Sequence, residues 1–248
     1  CELLLTEKYG DLRQSTADFM ATGASTAGQA QQPPKRVLII DEVDVFCSEA
    51  FFGGAFCPTL NLKNEQVAAL MRHIWSLKDT AGLDLPALKQ HRFYQAVLQS
   101  GVLLPTNEWL LERAVREMDK ASRSYSPKTR DHLVSADGKV LYKIDGRDEY
   151  SPWSYDYDTN ADYLGEFERG ELTEQQLNDG LALHVRCGEF SYAMLPGMFQ
   201  HILGVTGTLN EDRLPPQMHD VLKTEVGIEA FTYCPSMYPE QKRDWKPA

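Results

Sequence analysis

The chain has 248 residues, 42% of them hydrophobic and 25% charged, with a formal net charge of -11. That share of apolar residues supplies a sizeable core, in one large domain or two small ones. The acidity argues against a sequence-independent grip on nucleic acid, and no apolar run approaches the roughly 20 residues that span a bilayer.

The five cysteines (Cys1, Cys47, Cys57, Cys187 and Cys234) are odd in number and contain no CxxC pair. Free thiols are therefore expected rather than a disulfide framework or a zinc site. The chain opens at Cys1 without Met, in what reads as mid-element, so a piece of a longer protein is expected.

Residues 2–20 carry Leu3, Leu4, Leu5, Leu12 and Phe19 and read as partly helical. Ala21 to Pro34 is low in complexity and reads as a flexible surface loop. Next, Val37, Leu38, Ile39 and Ile40 make a short apolar run with three β-branched residues. Such a run fits a strand buried on both faces, as in a parallel sheet. It stops at Asp41, Glu42 and Asp44.

In open α/β sheets, ligands gather just beyond the carboxyl ends of the strands. Acidic groups there hold a metal through water and orient a second water for attack, the acidic half of a nucleoside-triphosphatase site. The plainer alternative is a core strand followed by a solvated acidic turn. DEVD is also a protease-cleavage string, but beside a core strand it makes a poor exposed substrate.

Phe51, Phe52, Gly53, Gly54 and Phe56 form an aromatic, glycine-rich turn. Asn64 to Leu77 then sets Val67, Leu70, Met71, Ile74 and Leu77 on one helical stripe. A second helix is predicted from Pro86 to about Leu98. A third follows Thr106, with Trp109, Leu110, Ala114, Val115 and Met118 on one face. His73 and His91 lie near these stripes and read as packed or solvated histidines.

From His132 the period changes. Leu133–Ser135 and Val140–Tyr142 flank Asp137-Gly138, a hairpin signal. Trp153, Tyr155 and Tyr157 alternate as a third strand does. Asp156, Asp158, Asn160 and Asp162 fall at calcium-loop spacing, but Ala161 and Phe167 stand where the turn glycine and closing glutamate belong. An acidic surface loop is the expectation there.

Thr173 with Gln176 forms a capping box that opens a helix through about Cys187. The apolar stretch from Phe190 to Leu203 is broken at Pro196-Gly197. It leads to Gly204-Val205-Thr206-Gly207-Thr208, a second ligand-facing turn in which Thr206 and Thr208 can hydrogen-bond a carboxylate or phosphate. A helix near Met218–Lys223, a strand near Ile228–Tyr233 and a Pro-rich exit from Cys234 to Pro239 close the chain.

Taken together, VLIIDEVDVF, the later Asn178-Asp179-Gly180-Leu181 and GVTGTL resemble SecA, the motor ATPase of protein translocation. The likeness is specific at residues 37–46 and 198–209 and weak across 60–130. It implies an α/β fold: a partial parallel-sheet, helicase-like motor domain of the P-loop class, with an inserted helical segment and a small antiparallel hairpin. Residues 1–59 and 151–248 would be the nucleotide-binding parts, and 60–150 a divergent preprotein-cross-linking insert.

Roles follow from the same resemblance. Asp41 would hold Mg²⁺ through water, and Glu42 would orient or deprotonate the attacking water. Asp44, Thr206, Gly207 and Thr208 would form the rest of an ATP-linked coupling site. The implied partners are a preprotein polypeptide, a membrane translocation channel and the remainder of the motor chain, in the cytoplasm or an organellar stroma at the membrane periphery.

The sequence also departs from the family. No G-x-x-x-x-G-K-[ST] loop occurs, Pro196 falls within a segment that is an unbroken helix in the family, and Val205 replaces a Met. A DEAD-type nucleic-acid helicase and a degenerate motor domain that only binds protein stand as alternatives.

Overall fold

Apolar stripes alternating with turn residues cut the chain into short elements, and the computed structural model describes residues 6, 10–23, 36–80, 82–127, 131–144, 148–152, 154–207, 216–228, 230 and 232. In chain order these begin with α1 (Leu12–Thr22), β1 (Val37–Asp41), α2 (Val43–Phe46), α3 (Glu49–Phe52), β2 (Ala55–Phe56) and β3 (Thr59–Leu62). Then come α4 (Glu65–Ser76), α5 (Leu85–Gln90), α6 (Arg92–Gln99), α7 (Glu108–Ser124), β4 (His132–Val134), β5 (Val140–Lys143) and β6 (Tyr150–Ser151). The last are α8 (Tyr157–Glu168), α9 (Glu174–Gly180), β7 (Leu183–Arg186), β8 (Phe190–Ser191), β9 (His201–Val205) and α10 (Pro216–Thr224). The fold is mixed α/β with small sheets, of which one among the described residues is parallel.

The chain forms two compact units, one from residues 1–32 and 57–189, the other from 33–56 and 190–248. Residues 60–150 alone were the expected insert. The structure groups 151–189 with them, because Tyr157, Ala161, Leu164, Leu177 and Leu183 share one core with Leu70 and Met118.

In the helical unit, Val67, Leu70, Met71 and Ile74 of α4 are fully buried, as their spacing predicts. Asn64 caps this helix by accepting a hydrogen bond from the Val67 N–H at 2.7 Å. Each such aliphatic side chain contributes about 1.5–3 kcal/mol through burial. The inward stripe of α7 is Leu111, Ala114, Val115, Met118 and Ala121. Trp109 was expected on that face but is 58% exposed. Two residues before Leu111, it is rotated about 200° away from it.

The acidic stretch at 156–167 is no surface loop. It forms α8, in which Tyr157 and residues 159–166 are all buried. Its polar groups are matched inside the protein. Asn160 exchanges hydrogen bonds with the Ala182 backbone at 2.8 and 3.2 Å, and Tyr142 Oη donates to Asp162 Oδ2 at 2.6 Å. His132 Nε2 meets Glu166 Oε1 at 2.6 Å, and Arg169 pairs with the same oxygen. A helical backbone spreads Asp156, Asp158, Asn160 and Asp162 around its axis, so they cannot surround one ion.

The capping box of Thr173 and Gln176 is present, but its helix ends at Gly180 rather than near Cys187. At Gly180 a Cβ would lie 2.4 Å from the Tyr163 ring, so only glycine fits. Beyond it, buried Leu183 and Val185 alternate with His184 and Arg186, and β7 pairs antiparallel with β3. The hairpin at β4 and β5 forms as expected, with Gly138 at φ +78°. The third strand is Tyr150–Ser151 instead; Tyr157 opens α8, and Trp153 lies outside the described residues.

In the strand unit, β1 and β9 pair in parallel from Val37↔His201 to Asp41↔Val205. Ile40, with the half-buried Leu38 and Ile202, packs against Val43, Cys47, Leu222 and Val226. The opposite face is open: Val37, Ile39, Leu203 and Val205 are 50, 75, 61 and 63% exposed. The run expected to be buried on both faces is thus covered on one. Phe190 to Val205 holds β8, two 3-10 turns and β9, with no α-helix, and Pro196 opens the second turn. The helix of α10 spans the predicted Met218–Lys223. The expected strand at 228–233 and the exit at 234–239 lie wholly or mostly outside the described residues.

Cys47, Cys57 and Cys187 are free thiols. No helix among the described residues is long and apolar enough to cross a membrane.

Candidate functional site

The site is built from the carboxyl ends of two neighbouring parallel strands. Register places Asp41, the last residue of β1, beside Val205, the last of β9. Immediately beyond, Thr206 Oγ1 donates to Asp44 Oδ1 at 2.8 Å, across 162 residues of sequence. The acidic motif and the hydroxyl-bearing turn therefore meet. Asp41, Glu42 and Gly207 are exposed, while Asp44 and Thr206 are half-buried. Thr208 lies outside the described residues.

The turn between Asp41 and Asp44 is strained. Glu42 sits at φ 54°, ψ 66°, a left-handed conformation that a side chain with a Cβ rarely adopts. Its carbonyl oxygen accepts from the Val45 and Phe46 N–H groups at 3.0 and 3.1 Å, and its carboxylate makes no capping hydrogen bond. The acid is left facing solvent beside Asp41. Val43, the next residue, is 2% exposed and packs over Gly204. Neither the strain nor the Gly204 contact has a signal in the sequence, because each depends on which strand lies alongside.

Burial pushes the Cys47 thiol up to about 11, with the negative charge of Asp44 acting in the same direction. This thiol is held protonated at neutral pH. A cavity of about 640 Å³ opens at the other end of the strand pair, among Val37, Pro196, Phe199, His201 and Val226, away from the acids. The acidic tip itself is an open turn.

No group of three or more His, Cys, Asp or Glu among the described residues is placed to hold a metal. Asp41, exposed at the strand end, is the carboxylate that would hold Mg²⁺, an ion that binds through one or two carboxylates together with waters and substrate phosphates.

The helical unit has its own groove of about 470 Å³, lined by Trp109, Arg113, Lys120, Tyr155, Asp156 and Arg186 among others. Asp156, at φ 51°, holds Arg186 through Oδ2, at 3.1 Å from Nε and 2.8 Å from Nη2. Beside this pair His184 is sunk against Asn160 and Asn61, at 3.2 and 2.9 Å. Burial lowers its pKa to about 4, against a smaller opposing pull from Asp156. It is neutral at physiological pH, with Nε2 facing Asn160 Oδ1 and Nδ1 facing Asn61 Oδ1.

Comparison with protein-family models, with curated proteins and with solved structures finds no match to this chain.

Proposed function

We propose that the β1–β9 tip is the acidic half of an ATP site in a SecA-like motor that moves polypeptide across or into a membrane. One observation carries this: two segments 162 residues apart bring Asp44 and Thr206 into hydrogen-bond contact at the ends of adjacent parallel strands, beside exposed Asp41 and Glu42. Parallel strands ending together in acids and hydroxyls are what triphosphate chemistry uses.

Asp41 would hold the Mg²⁺ shell through water. When bound, Mg²⁺ supplies charge neutralisation at the phosphate oxygens. Glu42 accepts a proton from, or orients, the water aimed at the terminal phosphorus. The Asp44–Thr206 bond ties that turn to β9, so a change at the nucleotide reaches the strand. The phosphate-cradling Gly-Lys loop is not among the 248 residues, so turnover requires the full-length parent. The net charge of -11 weighs against a nucleic-acid motor.

The test is ATP turnover by the parent carrying Glu42→Gln. Turnover is expected to fall by about 100-fold or more, the usual worth of a general base, with ATP still bound. Undiminished hydrolysis removes Glu42 from the chemistry. A second function, protein binding without hydrolysis, draws on the open face of Val37, Ile39, Leu203 and Val205. A wild-type parent that hydrolyses no ATP decides for it.

A further inference from the structure

Gly204 and Val205 of β9, with Thr206 just beyond it, grip the chain on both sides of Glu42. Val205 pairs with Asp41 before it, Gly204 lies under Val43 after it, and Thr206 binds Asp44 beyond that. Glu42 is the residue in between, exposed and left-handed.

The Gly204 contact leaves no room for a side chain. A Cβ added there would stand 2.2 Å from Val43 Cγ2, a distance that real Cβ atoms essentially never show. Gly204 is not among the positive-φ glycines, so its backbone needs no glycine; only the space does. Val43 in turn is anchored, 2% exposed, among Ile40, Cys47, Leu222 and Val226. For Val43 to reach that core directly after β1 ends, the chain reverses within one residue. Glu42 supplies the reversal.

We propose, on the view that Glu42 is the general base of the strand-end site, that Val43 and Gly204 are its positioning residues. Their interlock holds the Glu42 backbone left-handed and so aims its carboxylate out beside Asp41. A side chain at 204 displaces Val43, and the reason for the strained conformation goes with it.

Two measurements test this separately. The first needs no catalysis. Glu42→Gly relieves a left-handed residue and is expected to raise the denaturant midpoint of the wild-type chain. The gain is expected to shrink by at least half in a Gly204→Ala background, where Glu42 is no longer held. Val43→Ala removes the interlock without a clash and gives the same comparison if Gly204→Ala folds poorly. Equal gains in all backgrounds overturn the proposal.

The second is ATP turnover by the parent. Gly204→Ala is expected to lower kcat about 100-fold with KM for MgATP within about threefold, the pattern of a misplaced base. Val43→Ala, which removes the same interlock without a clash, is expected to lower kcat in the same direction, again with KM for MgATP within about threefold. Wild-type kcat in Gly204→Ala overturns positioning. If Glu42→Gln hydrolyses normally while the midpoint coupling holds, the base assignment fails and the backbone interlock stands.

Discussion

Two pairs of carboxylates set the units of this protein apart. In the helical unit, Asp162 and Glu166 lie one turn apart on α8, 2 and 6% exposed. They are met by Tyr142, His132 and Arg169. In the strand unit, Asp41 and Glu42 end a core strand in the open, the second on a strained backbone. Acids of the first kind are part of the fold's internal wiring. Acids of the second kind face solvent. The apolar surfaces differ likewise: α4, α7 and α8 saturate one another, whereas the β1–β9 sheet keeps an apolar face uncovered. Parallel sheets ordinarily have both faces covered, whereas here Val37, Ile39, Leu203 and Val205 stay exposed.

Breaking the buried pair is expected to have the largest effect on stability. Glu166→Ala leaves His132 and Arg169 without their shared carboxylate and is expected to cost about 3–5 kcal/mol in urea unfolding of the chain. A pH dependence comes next. His184 is neutral in the fold with its pKa lowered from 6.5 to about 4, so the unfolded chain takes up the proton first. Its contribution is therefore fully present above about pH 6.5 and is lost as pH falls toward 4, on the order of 3 kcal/mol. His184→Gln is expected to flatten that part of the stability profile.

Gly180→Ala drives a Cβ into the Tyr163 ring and is expected to cost about 1–3 kcal/mol, read from the denaturation midpoint. Tyr125 carries a buried hydroxyl without a hydrogen-bond partner. Tyr125→Phe is expected to leave stability unchanged or raise it by up to about 1 kcal/mol. The smallest effect belongs to the exposed pair: Asp41→Asn is expected to stay within about 0.5 kcal/mol. A large loss there would erase the contrast between the two pairs of acids.

The strand at Val37–Ile40, the helices at 64–77 and 218–223, the hairpin at Asp137-Gly138 and the Thr173 cap were legible in the sequence, each resting on local spacing or a local hydrogen bond. Of the candidate site, Asp41, Glu42, Asp44 and Thr206 were legible by type. In the fold the two segments lie together at one strand end, through the β1–β9 register and the Thr206–Asp44 hydrogen bond. The acidic run at 156–167 misled because its polarity is satisfied internally, by partners such as Tyr142 and Ala182 that no window of sequence contains. The helix drawn through to Cys187 failed for a related reason: β3 offers Leu183–Arg186 a ladder some 120 residues away.

By itself the sequence determined which segments have a helical or an extended period and which residues bear chemistry, since both depend on near neighbours. Tertiary structure alone decided that the acids of α8 are interior and those after β1 exterior. It alone decided that Glu42 is left-handed, and that Gly204 is a glycine for want of room. Burial, strain and close approach belong to pairs of surfaces, and a pair exists only once the chain has folded.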